Sequence, residues 1–134
     1  AGRGDGSKGK TAGIDDLADK STAIPQVVPG RPTVKGALDR EIIRRVVREH
    51  RRELESCYEK ELKAGQDLAG TVTVEFTIAS TGSVPSAAVK ESTLDSPAVE
   101  ECVVAKVRRW KFPESDGGGS VVVEYPFMFS TTSN

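Results

Sequence analysis

A stretch between residues 38 and 65 alternates apolar and charged positions with the period of an α-helix. Its apolar residues recur every three or four positions, and arginine and glutamate fill the positions between them. Asp39 stands where a capping side chain accepts the first free amides, and Gly65 stands where such a helix ends. The pattern therefore predicts one long amphipathic helix. Its apolar stripe comprises Ile42, Ile43, Val46, Val47, His50, Leu54, Cys57, Tyr58 and Leu62.

Three shorter stretches have the patterns of β-strands. TVTVEFTI, residues 71–78, alternates strictly between polar and apolar side chains, which predicts a half-buried strand. The turn residues STGS and the weaker run SVPSAAVKES predict a hairpin, with Pro85 marking the return strand as an edge or standing at its start. VVVEYPFMF, residues 121–129, predicts the last strand. One face of that strand carries Val121, Val123, Tyr125, Phe127 and Phe129.

A second, shorter helix is predicted between the hairpin and the last strand. Ser96 and Pro97 form a typical helix start, and an apolar stripe runs from Val99 to Trp110 through Cys102. The predicted order is helix, strand, strand, helix, strand. The right-handed crossover rule then gives a three-stranded sheet of order 2-1-3, antiparallel or mixed, with both helices on one face. The fold class is a two-layer α+β domain.

The domain is predicted to occupy residues 37–130, between a linker at residues 1–36 and a disordered tail at residues 131–134. The linker is rich in glycine at first and then carries IPQVVPGRP, in which three prolines favour an extended tether. Apolar side chains at Ile24, Val27, Val28 and Val34 could pack on the domain as a strap, but the composition favours a solvated, flexible linker.

Charge and composition exclude several classes of partner. The chain has 19 basic and 20 acidic residues, so bulk charge does not favour nucleic acid as a partner. No apolar run approaches the roughly 20 residues that a membrane span needs, and no signal peptide is seen at Ala1. Two cysteines and one histidine are too few for a zinc site. We therefore predict no cofactor and no metal.

One short motif suggests nucleotide binding. GDGSKGKT, residues 4–11, has the spacing of a phosphate-binding P-loop. That motif works where a buried strand leads into a glycine loop that opens a helix, so that backbone amides converge on the phosphates. Only three residues precede the match and no helical stripe follows it. We interpret it as a chance match in a segment rich in glycine, lysine and serine.

The two cysteines are Cys57 and Cys102. Composition leaves a disulfide and two buried thiols equally open, but both residues lie on apolar helix stripes that the predicted architecture places side by side, which favours the bridge and an oxidising compartment. A competing hypothesis makes Cys57 the nucleophile of a small hydrolase with His50 as its base. Cys57 lies seven positions after His50, on a face expected to be buried, which disfavours this hypothesis.

The polar face of the first helix is rich in arginine. It could bind phosphate, lipid headgroups or an anionic polymer such as peptidoglycan. Interleaved glutamates favour ordinary ion pairs on the helix surface instead. The arginines are Arg44, Arg45, Arg48, Arg51 and Arg52.

Several separated segments, in the same order, resemble a known family. The run YEKELKAGQDLAGTVTVEFTIASTGSV, followed by VRRWKFP, a glycine hinge and VVVEYPFMF, resembles the TonB carboxy-terminal domain. The resemblance is closer to its AgmX/PglI-type variant from bacterial gliding-motility proteins, because it includes LDREIIRRVVREH, the CYEKEL segment, STL and YPF. It covers residues 38–129.

The resemblance implies a non-enzymatic, periplasmic end of an inner-membrane-anchored protein in an envelope-spanning machine for motility or energy transduction. In such domains the last strand offers an open edge, to which a segment of an envelope protein adds as a further strand. A partner, a second copy of the chain or its own linker could fill that edge, and Pro126 would limit the register. A transducer for outer-membrane transport and a structural, peptidoglycan-binding module are the alternatives. The edge residues implied here are Val121, Val122, Val123, Glu124, Tyr125, Phe127 and Met128.

Overall fold

The computed structural model describes residues 24–65 and 67–132, so the P-loop match lies outside the described residues. Within these residues, two short strands precede the first described helix, and one 3₁₀ turn, Asp116–Gly118, precedes the last strand. In chain order the elements are β1 (Ile24–Pro29), β2 (Thr33–Lys35), α1 (Arg40–Glu49), α2 (Arg51–Lys63), β3 (Gly70–Ile78), β4 (Ser86–Ser92), α3 (Pro97–Val107) and β5 (Val121–Thr132).

The strands form one antiparallel sheet of order β1-β5-β3-β4, in which β2 also pairs with β5. The three predicted strands occur in the predicted order 2-1-3, as β4-β3-β5. The prediction of a three-stranded sheet was wrong, because residues 24–35 contribute two further strands. Proline and glycine in that segment prevent a helix, but they do not prevent the chain from pairing along a neighbouring strand.

The core lies between the helices and one face of the sheet. Alternate residues of β3 and β5 are buried, as the period of two predicted, while the side chains between them face the open side and are polar or partly exposed. The helices contribute their apolar stripes to the same core. Fully buried side chains from the three helices include Ile43, Val47, Leu54, Tyr58, Val99, Val103 and Val107.

The first predicted helix is broken in two at His50, which has φ −105° and ψ 9°. The His50 ring stacks on the Trp110 indole, with centroids 5.0 Å apart and planes 16° from parallel. Trp110 Nε1 donates to Glu53 Oε1 at 3.0 Å, and His50 Nδ1 lies 3.0 Å from Glu53 Oε2. Periodicity could not reveal the break, because the apolar stripe stays on the same side through it. The segment after α3 therefore anchors the junction of the first two helices.

A second tertiary contact joins the β3–β4 turn to the same segment. Gly82 has φ +95°, and its carbonyl accepts the Phe112 amide at 2.8 Å. A Cβ at Gly82 would lie 1.9 Å from the Phe112 carbonyl oxygen. Only glycine therefore satisfies both the backbone conformation and the approach. STGS and WKFP, two segments far apart in sequence, lie against each other in the fold.

The disulfide prediction is confirmed. Cys57 of α2 and Cys102 of α3 are bridged, with Cα atoms 5.7 Å apart and a sequence separation of 45. Closing a loop of this length contributes about 4 kcal/mol to stability in the chain-entropy model. The bridge fixes α2 and α3 side by side over the sheet.

None of the described helices is long and apolar enough to cross a membrane.

Candidate functional site: the two sides of the last strand

The last strand, β5, is paired on both sides. On one side β3 runs antiparallel to it, from Ile78 opposite Val121 to Gly70 opposite Phe129. The other side is the one that the resemblance predicts to be open. In this structure it is covered by the chain itself, so β5 is an interior strand of the sheet.

The covering segment is residues 24–35, called here the strap. Strand β1 pairs with β5 from Phe127 to Thr132, and β2 pairs with it from Val122 to Glu124. Between the two, the Gly30 amide donates to the Pro126 carbonyl at 2.8 Å. The strap therefore follows nearly the whole outer edge of β5. The chain's own linker, one of the three occupants left open from the sequence, takes this edge.

The predicted edge residues divide between the two faces of the sheet. Four of them are buried in the core and are not available to a partner through their side chains; the others lie on the open face, where Met128 is 41% exposed. A strand partner could therefore use only the backbone and the open face of β5. The buried four are Val121, Val123, Tyr125 and Phe127, and the open-face residues are Val122, Glu124 and Met128.

The strap is held by few side chains. Val27 is fully buried opposite Phe129, Pro32 is buried, and Val34 is partly buried against the core. The exposed apolar residues Ile24 and Val28 remain 42% and 41% accessible. Fully burying one valine contributes about 1.5 to 3 kcal/mol. The attachment therefore depends mainly on one valine, one proline and backbone hydrogen bonds.

Gly36 directly follows the strap and lies against the start of β5. It has φ +137°, and a Cβ there would lie 2.9 Å from the Ser120 carbonyl oxygen and 2.9 Å from the Val121 Cα. Only glycine lets the chain leave the edge of β5 at this angle and continue into α1.

An ion pair crosses the open face of the sheet at the level of β5. Glu75 and Glu124 lie directly opposite each other on β3 and β5, an arrangement that is repulsive by itself. Lys90 of β4 donates to Glu124 and so places a positive charge between them. The hydrogen bond to Glu124, together with the nearby negative charges, raises the pKa of Lys90 above its ordinary value although desolvation opposes it.

On the covered face, two arginines of α1 lie near the middle of β5. Burial raises the pKa of Tyr125 above its ordinary value, and the positive charges of Arg44 and Arg48 partly oppose that rise. Arg44 also pairs with Glu41 at 3.1 Å, and Arg51 pairs with Glu55 at 3.5 Å. These exposed pairs support the interpretation of the arginine face as a helix surface, and such pairs contribute little to stability.

The disulfide removes the nucleophile that the hydrolase hypothesis requires. The Cys57 sulfur is bonded to Cys102, so it cannot act as a thiolate. His50 contacts Glu53 and Trp110 and has a structural role at the helix junction. Within residues 24–65 and 67–132, no three histidine, cysteine or carboxylate side chains are grouped as metal ligands.

The family comparison matches the region that contains Cys102 and strands β3, β4 and β5. A family model described as the Gram-negative bacterial TonB protein C-terminal matches residues 61–131, which is more than half of the chain. The match begins near the end of α2, so the strap and α1 lie before it. No curated protein and no solved structure matches significantly. The chain therefore belongs to the TonB C-terminal family, whose members are non-enzymatic periplasmic domains that interact with other envelope proteins.

Proposed function

We propose that this domain is the interaction end of an inner-membrane-anchored protein in an envelope machine for gliding motility, and that it binds its partner by strand exchange at β5. The partner segment takes the place of the strap. The observation that carries the proposal is the pairing of β5 with residues 24–35, because a backbone edge that accepts one strand from its own chain can accept another of similar length.

A partner strand can replace the strap because the strap lies at the edge of the sheet and buries little apolar surface. The open face of β5 adds a contact for a partner, since Met128 is exposed there. A partner strand with an apolar residue opposite Met128 would bury that side chain.

The motility assignment rests on the AgmX/PglI-type resemblance. That resemblance spans residues 38–129 and so includes α1 and α2, most of which precede the family-model match. A transducer for outer-membrane transport would use the same fold and the same edge. Replacing the domain in the source bacterium separates the two roles: loss of gliding with normal outer-membrane uptake supports motility, and the reverse result supports the alternative.

The binding mode is tested by hydrogen exchange on the full chain. Envelope proteins captured on the immobilised chain are purified, and amide exchange is measured with and without each of them. We expect exchange in residues 24–35 to accelerate on binding while β5 remains protected, because one strand replaces another. A partner that binds with the strap still protected would overturn the strand-exchange mode.

Two variants of the strap test whether it competes with the partner for β5. Val27→Asp places a charge in the dry site opposite Phe129 and should detach β1, whereas Val28→Asp adds the same charge to an exposed position of the same strand. If the strap competes with the partner, Val27→Asp should tighten binding by about tenfold or more, and Val28→Asp should not. Equal affinity for both variants would contradict competition by the strap.

A further inference from the structure

The opposite edge of the sheet is formed by β4 and is a second candidate surface for strand pairing. Among the described strands β4 pairs only with β3, so its outer edge faces no described strand. Edge strands often carry a lysine that blocks further pairing. Here the lysine is Lys90, but its Nζ bonds Glu124, two strands inward over the open face. The side chain that would guard the edge is therefore directed away from it.

A groove lies between β4 and α3, on the covered side of this edge. Its volume is about 380 Å³. Val89 contributes the strand wall, and Pro97, Val104 and Ala105 contribute the helix wall. An apolar groove between an edge strand and a helix can receive alternate side chains of an extended peptide, while the strand edge pairs with the peptide backbone.

Charges of opposite sign stand at the two ends of the groove. Glu100 and Glu101 lie in the first turns of α3, and Arg108 follows its last turn. Ser92 Oγ donates to Glu100 Oε2 at 2.7 Å, which places the start of the helix beside the end of β4. The helix then runs back along the strand, so Arg108 lies toward the strand's beginning. From the helical rise, Glu100 and Arg108 are about 12 Å apart along the axis.

We propose that the β4–α3 groove is a second docking site, which binds an extended segment of a partner protein with a basic, an apolar and an acidic residue at alternate positions. The segment pairs antiparallel with β4, as every other strand pair in this sheet does. Its basic residue then faces the two glutamates, and its acidic residue faces Arg108. Four residues of extended chain advance about 13 Å, which matches the spacing of the charges.

A second copy of the chain is a poorer occupant of this edge. Val74 and Thr73 of β3 lie opposite Val89 and Glu91, so Lys90 is an extra residue that interrupts the ladder. A symmetric pair of β4 strands centred on the groove would bring two such interruptions together. Pairing between β4 and a peptide involves only one such interruption. The proposal does not depend on strand exchange at β5, which lies on the other side of β3.

The test is an NMR titration of the full isotope-labelled chain with an acetylated, amidated peptide of sequence SKTVTDS. The matched control is the peptide SDTVTKS, which has the same composition with its two charges exchanged. We expect shifts confined to β4 and α3, and binding of the first peptide about tenfold tighter than that of the control. We expect this preference because the control peptide places its aspartate beside the glutamates of α3 and its lysine beside Arg108, so both charge contacts become repulsive.

A double charge reversal, Glu101→Lys with Arg108→Glu, should invert the preference between the two peptides. Both side chains are exposed, so the variant keeps the core intact. Three results would overturn the proposal: no preference between the peptides, shifts centred on the strap and β5, or concentration-dependent shifts at β4 without peptide. The last of these would indicate pairing between copies of the chain.

Discussion

Val27 of β1 lies directly opposite Phe129 of β5, and both side chains are completely buried. Phe129 in turn meets the Tyr58 ring of α2 edge-on, with centroids 5.3 Å apart. One residue of a segment rich in proline and glycine thus enters the core of the domain. This contact connects the strap to α2 through the aromatic side chain of β5.

The strap is predicted to open independently of the rest of the fold. Val27→Asp should remove hydrogen-exchange protection from β1, because a carboxylate in that site cannot be both buried and unpaired. Protection in β3 should remain close to that of the parent chain. Hydrogen-exchange mass spectrometry at peptide resolution measures both, with Val28→Asp as the control. Equal loss of protection in β1 and β3 would show that the strap belongs to the cooperative core.

Reduction of the Cys57–Cys102 bridge is predicted to lower the free energy of unfolding by about 4 kcal/mol, since the bridge restrains the unfolded chain over a loop of 45 residues. Urea denaturation with and without reductant measures the difference. A variant with both cysteines changed to alanine serves as the control and should not respond to reductant. An unchanged unfolding midpoint in the reduced parent chain would contradict the prediction.

Gly82 is predicted to tolerate no side chain. Gly82→Ala would bring a Cβ to 1.9 Å from the Phe112 carbonyl oxygen, and we expect a loss of more than about 3 kcal/mol as the turn separates from that backbone. Gly65 is the matched control because its φ is +94° and, apart from its chain neighbours, no atom of the described residues lies within 4 Å of a Cβ placed there.

Gly65→Ala should therefore cost only the conformational strain, about 1 to 2 kcal/mol. Urea unfolding measures the free energy of unfolding of both variants. The difference between their losses is the cost of the steric clash with Phe112, because both variants carry the backbone strain. Similar losses in both would mean that the approach of the turn to Phe112 contributes nothing to stability.

Acid is predicted to weaken the junction of α1 and α2 through Glu53. Burial alone would raise the pKa of Glu53, but the hydrogen bonds from His50 and Trp110 outweigh it and lower the pKa below its ordinary value. The ionised carboxylate therefore stabilises the fold above the pKa it has in the unfolded chain. That contribution is lost as the pH falls through the lower pKa of the folded state.

Urea denaturation of the parent chain and of Glu53→Gln over a series of pH values measures this effect. The parent chain should be the more stable at neutral pH, and the difference should shrink below about pH 4.5, the region in which an ordinary glutamate becomes protonated. The glutamine side chain still accepts the Trp110 hydrogen bond, so the comparison isolates the charge. A difference that does not vary with pH would exclude the carboxylate as its source.

The site was only partly predictable from the sequence. The side chains of β5 alternate as VVVEYPFMF indicates, and the pairing of Cys57 with Cys102 followed from two apolar stripes on neighbouring helices. The neighbour of β5 on its outer side was not predictable. The signal for packing in the strap segment is its four apolar residues, and the surrounding prolines and glycines are equally typical of a solvated tether. These residues are Ile24, Val27, Val28 and Val34.

The helical stripes and the strands β3, β4 and β5 follow from the sequence alone, because the periods of their apolar residues reflect the geometry of a helix or a strand irrespective of what packs against it. The sequence also determined the family. Two features depend on the tertiary structure. The helix breaks at His50, whose ring stacks on Trp110 from a distant segment, and residues 24–35 pair along the outer side of β5. Both depend on contacts between residues far apart in the chain, and such contacts leave no period in the sequence.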